Sequence, residues 1–309
     1  MDFATTLLAL TLASGSPVVQ DEFMPASSLP DLSGMAWLGK DTFLAVHDAK
    51  NPDELDRPRV SLLKLPSDLD GLLWLPLTID DWPDDASNDL ESVARIPGTN
   101  QVLLVESGDN DDPVFQRIFR ARVRGTRLSI EAVAPWPVDV YNVEASAVAR
   151  NGNTFVFLYA ERAESSPATK IRWAVFDPVT LTFGKFHAVT FRNPDPQRTN
   201  RPVVAMDVDR NGEIYTAAAF DAEAAGLPDP DNGPFASSVW LVGKVNYGRR
   251  GPKVVLFDAP KRMATLDGLK VESVSVRKQH GERPELFVGL DDENYGATVR
   301  RLPAPVRND

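Results

Sequence analysis

Five times along the chain one pattern of apolar and polar positions returns. A short apolar strand opens on a polar residue, turns tightly into a second apolar strand, and ends in an acidic cluster. The first copy is Asp31-Leu-Ser-Gly-Met-Ala-Trp37, a turn, and Thr42-Phe-Leu-Ala-Val-His-Asp48. The second pairs Asp89-Leu-Glu-Ser-Val-Ala-Arg95 with Gln101-Val-Leu-Leu-Val-Glu-Ser107, and the third pairs Asn142-Val-Glu-Ala-Ser-Ala-Val148 with Thr154-Phe-Val-Phe-Leu-Tyr-Ala-Glu161. The fourth pairs Pro202-Val-Val-Ala-Met-Asp-Val208 with Ile214-Tyr-Thr-Ala-Ala-Ala-Phe-Asp221, and the fifth pairs Lys270-Val-Glu-Ser-Val-Ser-Val276 with Glu285-Leu-Phe-Val-Gly-Leu-Asp-Asp292. Runs of this length bounded by Gly, Asn and Pro predict antiparallel hairpins, and no long helical periodicity competes with them.

With Ser33, Glu91, Glu144, Val204 and Glu272 taken as equivalent, the spacings are 58, 53, 60 and 68 residues. That period suits a four-stranded propeller blade. Each hairpin is followed by a third apolar run, such as Arg59-Val-Ser-Leu-Leu-Lys-Leu65 or Ile171-Arg-Trp-Ala-Val-Phe176. A fourth run follows in every repeat but the last. Pro17-Val-Val-Gln-Asp-Glu-Phe23 precedes the first repeat and could supply that missing strand. The expected fold is therefore an all-β, five-bladed β-propeller of four-stranded antiparallel blades, a single domain over 17–309 whose last blade is closed by the N-terminal strand. Closure of this kind hides sheet edges. Six blades is the alternative, with the extra one drawn from 222–269, although 222–234 reads as a Pro/Gly/Asp insertion loop.

Residues 3–13 have the length and apolarity of an export signal's hydrophobic stretch, but Asp2 stands where such signals carry positive charge. Residues 1–16 are read as a degenerate export signal, with an ordered strand or a frayed terminus as alternatives. A periplasmic or secreted location follows from the first, a cytoplasmic one from the others. No apolar run reaches the ~18 residues of a membrane span.

Composition narrows the chemistry. The chain of 309 residues carries 44 Asp+Glu against 33 Lys+Arg, a net charge of −11, which disfavours nucleic acid as a partner. It has no Cys and three His. Disulfide frameworks, thiol nucleophiles and zinc fingers are excluded, and any metal must be held by oxygen or by those few imidazoles. No serine stands in a Gly-x-Ser-x-Gly elbow, and no glycine-rich phosphate loop follows a strand.

Hairpin geometry then locates a site. The first strand of each blade lines the central channel, so Ser33, Glu91, Glu144, Val204 and Glu272 are expected as a ring around the axis. Three glutamates converging there raise one another's pKa values, and a divalent cation relieves the conflict. Ca²⁺ is the candidate, because it accepts six to eight oxygen ligands in loose geometry. Here they would be the three Glu, the Ser33 hydroxyl, the Val204 carbonyl and water. The ion either touches substrate or pins the blades. The ends of the second strands place a rim on the same face: His47, Asp48, Glu106, Glu161, Arg162, Asp221, Asp291 and Asp292. His47, Asp48 and Asp292 are the catalytic candidates, with His47 beside Asp48 as a general base. A satisfied structural histidine is the alternative for His47.

The openings Asp31-Leu-Ser-Gly-Met-Ala, Asp89-Leu-Glu-Ser-Val-Ala and Val271-Glu-Ser-Val, with the ending Asp291-Asp-Glu-Asn-Tyr-Gly296, resemble the esterase-like phytase family of bacterial propellers. The ring order Ser, Glu, Glu, Val, Glu is similar to that of calcium-activated nucleotidases of the apyrase family, five-bladed propellers with a central calcium. The resemblance spans about residues 30 to 304 as a repeat pattern, and Val204 stands where that ring would carry a second Ser. It implies a calcium-centred hydrolase acting on an ester or phosphoester, with a small-molecule substrate. The alternative is a non-catalytic propeller that binds a ligand or protein partner and keeps calcium for structure. A monomer is expected.

Overall fold

The computed structural model describes residues 23–50, 54, 56–67, 71–79, 81–108, 113–163, 166–220, 222, 225–227, 233–277, 284–291 and 297–303. Five sheets, antiparallel but for a short parallel pair of Thr78–Ile79 with Arg127–Pro135, are arranged as the blades of a β-propeller. Their innermost strands are Gly34–Gly39, Leu90–Arg95, Val143–Asn151, Arg201–Val208 and Val271–Arg277. Each packs against the next, and the fifth packs back against the first, so the ring is closed. Apart from the short edge strands Met24–Pro25 in blade one and Thr78–Ile79 in blade two, the strands of a blade follow in sequence order from axis to rim, as in Arg201–Val208, Glu213–Ala219, Ala236–Gly248 and Gly251–Asp267 of blade four. Those last two strands come from the segment weighed as a sixth blade, so they settle the count at five. Among the described residues no helix is long and apolar enough to cross a membrane.

The two faces of each blade are apolar because every blade is sandwiched between two others, and five clusters fill the seams. Leu44, Val60, Leu104 and Phe119 join blades one and two. Leu103, Ile118, Phe157 and Tyr159 join blades two and three. Alanines such as Ala145, Ala147, Ala205 and Ala217 fall close to the axis, where converging strands leave little volume. Polar bonds stitch the same seams: Ser92 Oγ accepts the Ser146 amide at 2.8 Å, and Ser275 Oγ accepts the Trp37 amide at 3.0 Å.

Blade five shows three strands among the described residues. Of the strand expected to complete it, 17–22 lie outside the described residues. The chain that follows does not go there, because Met24–Pro25 pairs with Leu73–Pro76 at the outer edge of blade one. Residues 26–32 then run inward along the seam between blades five and one. Leu29 and Leu32 join Phe43, Phe287 and Ala297 in its apolar cluster. Arg277 of blade five donates to Asp41 Oδ1 at 2.7 Å, across the same seam. The seam is thus closed by side-chain packing and ion pairing as well as by the ring. Leu32 is fully buried against both blades. Leu32→Ala should lower stability by about 2–5 kcal/mol. Urea denaturation checks this, and an unchanged midpoint would mean that the segment does not hold the ring shut.

Candidate functional site: a carboxylate cluster at one mouth of the axis

The same local device recurs where the inner strands of blades two, three and five begin. The register slips by one residue between Leu90 and Ser92, between Val143 and Ala145, and between Val271 and Ser273. Glu91, Glu144 and Glu272 are therefore the extra residues of three β-bulges, and a bulge frees a side chain from the strand's alternation and re-aims it. Two residues before each glutamate the backbone is also shared. Asp89 and Asn142 have φ of 59° and 48°, a left-handed conformation that Asp and Asn tolerate better than other side chains. The carbonyls of Asp89, Asn142 and Lys270 accept the amides of Ser107, Arg162 and Asp291 at 3.0, 2.7 and 3.0 Å. The repeat opening noticed in the sequence is this turn.

Three of the five expected ring positions share one cavity. Ser33, Glu144 and Glu272 line an axial cavity of about 10 Å³, room for a single water. Val204 is buried, and its side chain packs with Tyr215, Val271 and Val274 in the seam between blades four and five. Blade four carries no acidic residue at that position, and its register slips over several residues between Arg201 and Ala205. Glu91 instead joins Asp48 and Asp89, and one ligand oxygen from each lies within 4.8 Å of the others. The cation-sized convergence of acids therefore sits where blades one and two meet. Asp48 was expected at the rim as a catalytic group, and Asp89 was not singled out at all.

Counter-charges explain the split. The Arg162 Nε donates to Glu144 Oε1 at 2.5 Å. Burial by itself would lower the Arg162 pKa, but Glu144, Glu91 and Glu272 together hold it above the ordinary guanidinium value. Glu272 has Lys270 at 3.5 Å and Arg201 at 3.7 Å, and Lys270 also reaches Asp291 at 3.1 Å. Burial nevertheless raises the Glu272 carboxyl to about 7, with Glu144 adding to the push. Among the described residues the one ion pair to Asp48, Asp89 or Glu91 comes from exposed Lys50, 3.8 Å from Asp89. Asp89 also accepts the Ser107 hydroxyl at 2.5 Å. All three carboxyls are raised. Burial is the largest cause for each, followed by Asp291 at Asp48 and by Asp89, Glu144 and Asp48 at Glu91. An all-oxygen, under-neutralised donor set of this kind fits a hard divalent cation such as Ca²⁺.

Of the remaining rim residues, Glu106 and Glu161 are bonded to neighbouring arginines. Glu106 is wholly buried and grips Arg117, accepting Nη2 at 2.7 Å and Nε at 3.0 Å, and it also takes the amides of Asn88 and Arg117. The Arg117 guanidinium continues to the carbonyls of Pro83 and Ala86, so this pair pins the segment leading into Asp89. Glu161 is paired with Arg172 and accepts the Tyr141 amide at 3.2 Å. Asp221 and Asp292 lie outside the described residues.

His47 corrects the expectation of a general base. It is buried, its Nδ1 donates to the Asp31 carbonyl at 2.7 Å, and its Nε2 accepts the Ser61 hydroxyl at 2.8 Å. A carbonyl only accepts, so the proton sits on Nδ1 and the ring is neutral with both nitrogens engaged. Burial accordingly lowers its pKa to about 4. It ties the opening of blade one to that blade's third strand and is not poised to take a proton from water.

With the geometry in place, comparison with known proteins confirms the architecture. No protein-family model matches the chain, and no curated protein matches it. Solved structures do match. An endo-1,4-beta-xylanase from Bacteroides thetaiotaomicron is 8% identical over 91% of this chain and 91% of its own, with a TM-score of 0.52. An exo-1,5-alpha-L-arabinanase from a bovine ruminal metagenomic library is 11% identical over 90% of this chain and 95% of its own, with a TM-score of 0.50. A GH32 beta-fructofuranosidase from Bombyx mori is 11% identical over 90% of this chain and 62% of its own, also with a TM-score of 0.50. At such identities the likeness is one of fold.

Two outcomes test these roles. Glu106→Ala leaves the Arg117 charge buried and unpaired and should cost about 3–5 kcal/mol. A variant with unchanged stability would return Glu106 to the rim. For His47 the folded pKa, about 4, lies below the unfolded value of 6.5. The unfolded chain therefore binds the proton first, and the stability present above pH 6.5 falls by about 3 kcal/mol as pH drops through 4. Denaturation curves from pH 7.5 to 4 should show a shallower fall in His47→Gln, and identical slopes would contradict the buried neutral ring.

Proposed function

We propose that the protein is a calcium-dependent hydrolase that acts on an ester or phosphoester at the acidic mouth of the propeller. The observation that carries this reading is the convergence of Asp48, Asp89 and Glu91. Three carboxylates with raised pKa values, with exposed Lys50 at ion-pair distance and Arg57 and Arg162 acting from farther away, are costly to ionise together unless a cation joins them. Asp48, Asp89 and Glu91 would hold the ion. Glu144 and Glu272 lie next to it in charge but are satisfied by Arg162, Arg201 and Lys270. A bound Ca²⁺ supplies Lewis-acid polarisation of a substrate oxygen. The protein's own contribution is rigid placement: the bulge at Glu91, the left-handed turn at Asp89 and the Glu106–Arg117 pin hold two of the three carboxylates. Arg162 and Lys270 bring positive charge to this face, although both are paired with its carboxylates. The repeat-level resemblance to phytase-like propellers speaks for the ester or phosphoester class, and the xylanase and arabinanase of like fold speak for hydrolysis in the broader sense.

One observation favours a second reading. Glu272, raised to about 7, is protonated in a large fraction of molecules at neutral pH, which is the state a general acid needs. With an ionised carboxylate opposite, it would suit metal-free hydrolysis of a glycoside.

Titration calorimetry of Ca²⁺ into chelator-treated protein decides between them. Saturable binding is expected, weakened ~10-fold or more by Asp89→Asn or Glu91→Gln. Melting should rise by the equivalent of about 2.7 kcal/mol at a hundredfold excess over Kd. Turnover of aryl phosphates or aryl esters should require the ion. No binding heat and an unmoved melting temperature would reject the calcium reading, and chelator-resistant turnover of aryl glycosides that Glu272→Gln abolishes would establish the second.

A further inference from the structure

The opposite mouth of the axis is a different chemical environment. Trp37, Arg95, Arg150, Asp207, Val208 and Val276, from the far ends of all five inner strands, line a cavity of about 270 Å³, and Arg210 joins them. None of these residues takes part in the acidic cluster. The volume lies near the lower end of small-molecule pockets, typically ~300–1,000 Å³.

Arg95 is incompletely satisfied. Its Nε is buried with no hydrogen-bond partner, and its two terminal nitrogens reach the carbonyls of Trp37 and Thr99 only at 3.3 Å. The guanidinium lies over the Trp37 ring, 5.6 Å from the centroid. Burial pulls its pKa below the ordinary guanidinium value, and Asp207 is the nearby charge that offsets this. Yet Asp207 makes no ion pair with it. Its two oxygens accept the amides of Val208 and Val276, each at 2.7 Å. The other acid of the lining, Asp209, is bonded into its own turn by the amides of Asn211 and Glu213 at 2.7 and 3.0 Å. The carboxylates here are thus occupied by backbone amides, whereas a guanidinium N–H is left without an acceptor. Buried donors in native proteins nearly always have one, and leaving one unmade is costly.

A negatively charged acceptor in the cavity would complete the arrangement at the terminal nitrogens, whose carbonyl bonds are long at 3.3 Å, because guanidinium groups pair best with carboxylate and phosphate oxygens. Trp37, Val148, Val208 and Val276 offer apolar surface beside it. We infer that this mouth of the channel binds a small oxyanion, a carboxylate or phosphate on a compact apolar body, with Arg95 as its principal donor and Trp37 against the body. The site is separate from the acidic cluster, so the two stand or fall independently.

Calorimetry on the full chain with two probes, benzoate and inorganic phosphate, tests the assignment. Saturable binding of one or both is expected, and which probe binds identifies the source of the oxyanion. Arg95→Gln should weaken it ~10-fold or more. Burial raises the Asp207 carboxyl to about 7, so the comparison is made at about pH 8.5, where Asp207→Asn removes a negative charge from the same wall and should tighten binding about threefold or more. Asp89→Asn, at the other end of the axis, should leave it unchanged. Absence of saturable binding by either probe overturns the inference, as does full affinity in a folded Arg95→Gln protein or a loss in Asp89→Asn. If circular dichroism shows Arg95→Gln unfolded, the sign of the Asp207→Asn effect decides, and unchanged or weaker binding overturns it.

Discussion

Five inner strands packed around a common axis leave room for about one water where Ser33, Glu144 and Glu272 meet. Every carboxylate brought to that mouth must therefore find a counter-charge or be raised in pKa. Arg162 serves Glu144, and Arg201 with Lys270 serves Glu272. The third cluster, Asp48 with Asp89 and Glu91, lies where blades one and two bring three acids together, with exposed Lys50 at ion-pair distance and Arg57 and Arg162 farther off. The distribution of arginines, as much as that of the glutamates, sets the charge balance around each carboxylate at this mouth.

Rigidity at this face comes from buried polar contacts. The Glu106–Arg117 pair clamps the segment that delivers Asp89, and neutral His47 clamps the segment that delivers Ser33. Both residues look chemically active in a linear reading because they are titratable and end a strand. In the fold they are held by too many bonds to be free for substrate. Their burial is what makes the neighbouring turns precise enough to hold three carboxylates in one place.

The two ends of the axis share a backbone plan and differ in charge. The starts of the inner strands carry bulged glutamates, and the ends carry Arg95, Arg150 and Asp207 beside Trp37. Antiparallel hairpins force this polarity. Every first strand runs the same way relative to the axis, so residues at one position of the repeat always gather at the same mouth.

Much of this was legible along the chain. Apolar runs at a period of 53 to 68 residues determined five hairpins and hence five blades, and the recurrent Glu two residues after Asp89, Asn142 and Lys270 marked the acidic mouth. Asp89 could have been found in the same way, since it occupies the first position of the repeat opening. Equivalence along a repeat specifies a blade, however, and not the side-chain neighbours across two blades. Which carboxylate meets an arginine, whether His47 is wet or buried, that Val204 turns into a seam, and that Met24–Pro25 edges blade one all depend on contacts between residues far apart in sequence. Hydrophobic periodicity is a local property that one strand expresses alone. Desolvation and charge pairing are set only when the ring closes, which is why the fold could be read from the chain and the site's final membership could not.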